Sequence, residues 1–207
     1  MIAWQVARHR VAVAGRVTNS ETGKAISGVE VTITESPEAF RQKMQSTSMR
    51  YGNRWRAMPE RPDRTRTRDD GLFYFLDLPD GSFSFSASLP GSGRRFGIAQ
   101  ERAEVSRDDE GKTKITFVNL SLQPTALKGK ITGQGQKAIS MAEVRVRGSD
   151  ERAFSDAQGQ YLVAGIEPGN RVLLVSAQGY SSASQPVTVG GPGSSQTVDF
   201  SLTRESG

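Results

Sequence analysis

The sequence predicts an all-β chain of two tandem β-sandwiches. Three observations carry that prediction: a long internal repeat, short runs that alternate apolar and polar residues, and glycine-bearing turns between the runs. The repeat can be read directly. KAISGVEVTI at 24–33 aligns without a gap on KAISMAEVRV at 137–146. Asp70-Gly71-Leu72-Phe73-Tyr74 resembles Gln158-Gly159-Gln160-Tyr161-Leu162, and Leu78-Pro79-Asp80-Gly81 parallels Ile166-Glu167-Pro168-Gly169. Both copies end alike, in Val118-Asn119-Leu120-Ser121-Leu122 and Val198-Asp199-Phe200-Ser201-Leu202. Along these matches the spacing between copies falls from 113 to 88 to 80 residues. The first copy therefore carries about 25 extra residues before Gly71 and about 8 more after the Pro-Asp-Gly turn. A repeat this long is a duplicated domain, not a solenoid unit.

The elements follow in order. VAVAGRV (11–17) alternates as a half-buried strand does, and VEVTIT (29–34) puts Val29, Val31 and Ile33 on one face. LFYFLDL (72–78), SFSFSAS (82–88), AEV (103–105) and TKITFVNLSL (113–122) complete the first copy. In the second, strands are expected at 127–132, 142–148, 152–155, 160–166, 171–177, 186–190 and 196–202. Only Pro37 to about Gln45 reads as helix: Ser36 can cap it, Pro37 suits the first turn, and Phe40 with Met44 form an i,i+4 pair. Leu122-Gln123-Pro124-Thr125 is the expected boundary, giving domains at 10–122, with an insertion at 35–66, and at 125–203.

The strand motifs resemble those of the carboxypeptidase regulatory-like domain, a transthyretin-like (prealbumin-like) seven-stranded β-sandwich. Copy one carries Gly15-Arg16-Val17, Thr22-Gly23-Lys24-Ala25-Ile26-Ser27-Gly28-Val29-Glu30-Val31, Asp70-Gly71-Leu72-Phe73 and Leu78-Pro79-Asp80-Gly81-Ser82-Phe83. Copy two carries Gly129-Lys130-Ile131, Lys137-Ala138-Ile139-Ser140, Ser155-Asp156-Ala157-Gln158-Gly159-Gln160-Tyr161, Pro168-Gly169 and Gly179-Tyr180. Alanine stands where the family's proline is usual in both copies. Met141-Ala142 replaces Gly28-Val29, so a different turn is expected there. The resemblance implies structural, adhesive or docking modules and not a chemistry, since a fold does not name a function.

Composition narrows the chemistry. The chain has 207 residues, no cysteine and one histidine, His9. No disulfide or thiol chemistry is available, and one histidine cannot supply a histidine-rich zinc site or a serine triad. His9 reads as a surface residue. The acid pairs Asp69-Asp70, Asp108-Asp109-Glu110 and Asp150-Glu151 lack the alternating spacing of a calcium loop and read as solvated turns. Lys130 and Asp199 can neighbour on first and last strands, as a Lys–Asp isopeptide staple requires, but Arg16 holds the lysine's place in copy one and cannot form the bond, so no staple is expected. No catalytic residue, cofactor or metal is expected. The N-terminal apolar stretch is broken by Gln5 and by Arg8-His9-Arg10, and no run approaches the ~20 apolar residues of a membrane helix. A cytoplasmic protein is the expectation.

The net charge of +5 is concentrated. Residues 35–66 hold eight Arg or Lys against four acids, +4 of the total. Arginines interleaved with Tyr51 and Trp55 suit a protein interface, where Trp, Tyr, Met and Arg are enriched. The candidate partner-binding set is Phe40, Arg50, Tyr51, Arg54, Trp55, Arg56 and Met58, with Arg94, Arg95 and Phe96 of a second insertion near 91–100. The readings rank as protein docking, then a solvated loop, then nucleic-acid binding through stacking and phosphate contact. The function expected is a non-enzymatic structural or adaptor subunit of a larger assembly, with a phage-tail-like contractile particle as the example. The alternatives are an accessory nucleic-acid-binding protein and a carbohydrate-binding or adhesion module. The last needs exposed aromatics on a rigid face, for which Tyr180 and Trp4 stand outside the insertion.

Overall fold

The computed structural model describes residues 9–58 and 61–205. The chain divides into two compact units: Met1–Pro90 with Ile98–Leu122, and Gly91–Gly97 with Gln123–Gly207. The first unit contains β1 (Val11–Asn19), β2 (Glu30–Glu35), β3 (Arg64–Arg66), β4 (Leu72–Leu76), β5 (Gly81–Ser88), β6 (Ala99–Val105) and β7 (Thr116–Leu122). They form a three-stranded sheet, β4-β1-β7, and a four-stranded sheet, β3-β2-β5-β6. The second unit repeats this with β8 (Ala126–Thr132), β9 (Glu143–Val146), β10 (Arg152–Phe154), β11 (Gln160–Ala164), β12 (Gly169–Ala177), β13 (Tyr180–Val189), β14 (Ser195–Thr197) and β15 (Phe200–Ser201). Its sheets are β11-β8-β14, with β15 also on β8, and β10-β9-β12-β13. Seven strand positions recur in one order, the last being split in copy two.

The alternation decides which side chains face inward. In β5, Phe83, Phe85 and Ala87 are buried while the serines between them are only half-buried. The first core is aromatic: Phe83–Phe85, Phe85–Phe75 and Phe75–Phe73 ring centroids lie 6.4, 5.4 and 6.1 Å apart. The second is mainly aliphatic, built on Leu127, Ile131, Val144, Val163, Leu173 and Val175 with Tyr161 and Phe200.

Closure of each sandwich falls on a glycine. β1 runs parallel to β7 with Gly15 opposite Val118. A Cβ on Gly15 would lie 1.9 Å from the Val118 carbonyl oxygen and 2.5 Å from the Phe73 ring. On Gly129 it would lie 1.9 Å from the Val198 carbonyl oxygen. No side chain fits at either place.

A buried hydroxyl also recurs. Val29 N–H donates to Thr67 Oγ1 at 2.9 Å, and that hydroxyl donates to the Ile26 carbonyl at 2.8 Å. Ser155 does the same, taking Ala142 N–H at 3.0 Å and donating to Ile139 at 2.7 Å. Each stitches the bend before the second strand to the loop entering the fourth, leaving no buried polar group unpaired there.

Several expectations need correction. The helix runs on as α1 (Glu38–Tyr51), and α2 (Asn53–Ala57) follows; Pro37, not Ser36, is at the N-cap, without a side-chain cap. The insertion ends in edge strand β3, which its polarity hides. Residues 91–97, expected within the first sandwich, belong to the second unit, where the Arg95 guanidinium pairs with Glu151 and Glu167. The turn at Met141 is not different. Met141 has φ 58° where its counterpart Gly28 has φ 71°.

Two outcomes follow. Gly129→Ala destabilises the second unit by about 3 kcal/mol, since the carbonyl it meets is backbone and cannot step aside. Met141, 72% exposed, contributes little packing in a left-handed conformation; Met141→Gly stabilises the same unit by about 1 kcal/mol. Denaturant-dependent hydrogen exchange reads each unit separately and checks both; no change in β8 protection for Gly129→Ala sinks the closure argument.

Candidate functional site

The insertion is held at two places. Near its start, Phe40 is 4% exposed and meets the Phe83 ring edge-on at 5.6 Å. It extends the aromatic core outward by one ring. Full burial of such a side chain stabilises by about 2–3 kcal/mol. Near its end, Trp55 is 9% exposed beneath the Arg61 guanidinium, 5.0 Å from the ring centroid, with Tyr51 at 6.2 Å. Arg61 is fixed by Asp63 at 2.9 and 3.2 Å. Arg64 donates to the carbonyls of Met58 and Arg56. The second anchor is thus a clasp of cation on aromatic, closed by an ion pair.

Between the anchors the surface is free. Arg50, Tyr51, Arg54 and Arg56 are exposed, as is Met49, while Met58 is half-buried. The candidate residues therefore separate: Phe40 and Trp55 lie inside, and four of the others present an ordered basic–aromatic surface. Arg94, Arg95 and Phe96 are elsewhere, in the second unit. Arg94 N–H donates to Glu167 at 3.2 Å, Arg95 carbonyl accepts from Thr125 N–H at 2.7 Å, and Phe96 bridges Pro124.

Beside the insertion the first unit has a half-open cleft of about 410 Å³. Its apolar lining is Phe40, Pro62, Tyr74, Phe75 and Leu76. Its cationic lining is Lys43, Arg61, Arg64, Arg66 and Arg68. Glu30 lies 3.7 Å from both Arg64 and Arg66. Arg68 stacks over Tyr74 at 5.5 Å and donates to its hydroxyl at 3.2 Å. His9 is at the rim, 2.5 Å from Asp77. Its hydrogen bond, then the Arg10 amide, hold the Asp77 carboxyl below the usual carboxylate range.

A second surface was missed in the sequence. On the outer face of β4-β1-β7, Tyr74, Ala14 and Phe117 form one cross-strand row. Tyr74 is 42% and Phe117 75% exposed, with Leu72 and Ile115 also exposed. The equivalent row of the second unit, by register, is Leu162, Lys128 and Thr197. One copy shows this face as a solvated sheet and the other as an aromatic platform. The signal lay in the alternation, since Tyr74 and Phe117 fall out of phase with buried Phe73, Phe75 and Val118. Tyr180 is half-buried, and Trp4 lies outside the described residues.

Lys130 and Asp199 do meet, but through the main chain. The Lys130 amide donates to Asp199 Oδ1 at 2.7 Å, and both side chains are exposed. Among the described residues no group of three or more His, Cys, Asp or Glu is placed to hold a metal, and no helix is long and apolar enough to cross a membrane.

The geometry defines an all-β protein of two tandem sandwiches, the first bearing an anchored insertion. The family model of the carboxypeptidase regulatory-like domain matches residues 126–203, within the second unit. No curated protein matches the chain. Among solved structures it is similar to the shaft pilin SpaA from Lactobacillus rhamnosus GG, at 12% identity over 96% of this chain and 98% of that one, TM-score 0.44. It is similar to the Bacillus anthracis TIE protein at 12% identity over 94% of this chain, TM-score 0.38, and spans only 34% of that protein. It is also similar to a type II cohesin–X-dockerin complex from Acetivibrio cellulolyticus at 11% identity, covering 39% of this chain and 58% of that one, TM-score 0.32.

The two anchors should differ on substitution. Phe40→Ala opens the aromatic core and costs the first unit about 3 kcal/mol. Trp55→Ala leaves that unit's stability nearly unchanged but raises amide exchange across α1 and α2. Exchange measured by mass spectrometry separates them; loss of β1 and β7 protection in Trp55→Ala contradicts the division.

Proposed function

We propose that this chain is a non-enzymatic structural subunit that docks into a larger protein assembly through the insertion of its first sandwich. The observation that carries the reading is the insertion's construction. Phe40 and Trp55 tie down a 14-residue helix of which only Phe40 is buried. Ordering such a segment costs conformational entropy at every residue. The anchors offset that cost, and the result is a fixed surface of Arg50, Tyr51, Arg54 and Arg56 that the sandwich itself does not use. Arg and Tyr on a preorganised element suit a protein interface, because less freedom is lost on binding.

The test is a pull-down from the source cells with the full chain and with a variant carrying Arg50→Ser, Tyr51→Ser, Arg54→Ser and Arg56→Ser. These changes keep Phe40, Trp55, Arg61 and Asp63, unlike a deletion of the insertion, and circular dichroism checks that the variant folds. The expected result is a set of co-purifying proteins that the variant loses. Tail-tube, sheath or baseplate-like proteins in that set would identify the assembly as a phage-tail-like contractile particle. Recovery of nuclease-sensitive material, or the same proteins with the variant, refutes docking through the insertion.

A further inference from the structure

We propose that the cleft between edge strands β3 and β4 takes an acidic, extended segment of a partner protein. This deepens the docking reading and rests on it. Three observations converge. The first is charge. Five cationic side chains line the cleft, and among the described residues the carboxylates paired with them or at its rim are three: Glu30, Asp63 and Asp77. Among the described residues neither Lys43 nor Arg68 makes an ion pair with a carboxylate, and Lys43 acts on Asp77 only through space, so an acidic ligand meets a cleft that stays net positive.

The second is backbone. β3 pairs only with β2, and β4 only with β1, so each ends its sheet. Arg64 already exchanges both main-chain bonds with Arg61, and Leu72 bonds Asp70 Oδ1 and the Arg68 amide, so the outward N–H and C=O groups of Arg66 and Tyr74 are the ones an added extended segment can take up. A small anion would use the charges and leave these groups to water. The third is apolar contact: Pro62, Tyr74 and Leu76 are accessible in the cleft over buried Phe40 and Phe75, and suit the alternate side chains of such a segment.

Charge also selects among strands. β3 reads Arg64-Thr65-Arg66. Like charges facing across a strand pair are unfavourable, so the edge rejects another copy of itself. An acidic strand meets the opposite situation. The arginines that protect this edge from self-association thus leave it open to one kind of partner.

The probe is a fluorescein-labelled, end-blocked peptide, Glu-Val-Glu-Phe-Glu-Val-Glu, with a control carrying Lys for each Glu. Fluorescence polarisation on the full chain should show the acidic peptide binding at least about tenfold more tightly than the basic one. Lys43→Glu with Arg68→Glu should weaken it by roughly tenfold or more, while Lys24→Glu with Lys114→Glu, an equal charge change at exposed positions of the first unit away from the cleft, should leave it within about twofold. Circular dichroism confirms that both variants fold. Equal binding of the two peptides, or equal losses in the two variants, overturns the proposal, because bulk charge would then account for the effect. The same variants enter the pull-down. If the four-serine variant loses its partners and the Lys43→Glu, Arg68→Glu variant keeps them, docking stands and the cleft inference falls.

Discussion

Each sandwich depends on the parallel contact between its first and last strands, and that contact depends on a glycine. Gly15 and Gly129 lie where the opposing carbonyl would overlap any side chain. The pairing joins residues about a hundred positions apart in the first unit, Val13–Asn19 with Thr116–Leu122. Everything between becomes a closed loop whose ends are fixed. Closure entropy rises only slowly with length, each doubling costing about 0.6 kcal/mol. A helical insertion between β2 and β3, and a shorter one between β5 and β6, can therefore be accommodated without disturbing the core. Copy two lacks both and keeps the same strand order.

The duplication also shows what each position tolerates. Phe73 and Tyr161 are equivalent, and both rings are buried. Tyr161 donates its hydroxyl to the Val198 carbonyl at 2.6 Å, and burial, with the Asp199 charge nearby, pushes that hydroxyl's pKa up so that it stays a donor. There the last strand is split into β14 and β15, with Asp199 taking the Lys130 amide. In copy one, with Phe73 and Asn119 at these positions, β7 is continuous. The outer face of the same sheet diverges further. Leu162, Lys128 and Thr197 are ordinary surface residues, whereas Tyr74, Ala14 and Phe117 expose two aromatic rings around a small residue. Both surfaces particular to the first copy, the insertion and this row, depart from a scaffold that the second copy leaves plain.

The legible parts of the sequence were those governed by period and by glycine. Alternation placed most strands within a few residues, because a half-buried sheet demands it. The repeat was readable because the same turns need the same residues, as at Gly71 and Gly159. Met141 shows the limit of that logic: a methionine at a glycine's position suggested another turn, yet the Ser155 hydroxyl and the adjoining strands hold the same bend and impose the left-handed conformation. Edge strand β3 was hidden because Arg-Thr-Arg carries no apolar face, and its pairing with β2 is a tertiary fact. The path of residues 91–97 was hidden for a related reason. Arg95 looks like a free surface charge until Glu151 and Glu167, more than fifty residues away, are brought beside it.

The insertion shows why composition alone misjudges a loop rich in arginine and aromatic residues. Aromatic and arginine residues mark interfaces, but they also build the clasps that hold a loop in shape. Trp55 with Arg61 and Asp63 is such a clasp, and Phe40 is an extension of the core. Removing these residues from the candidate surface sharpens the reading, since what remains is held in place by them. Arg50, Tyr51, Arg54 and Arg56 stand on helices whose ends are tied, and Lys43 and Arg68 border a cleft lined by residues of two edge strands. A mobile arginine-rich loop would lose much of its freedom on meeting any partner. Here that loss has largely been taken in folding, so the charges are offered in one arrangement, and one arrangement can discriminate among partners by position as well as by sign.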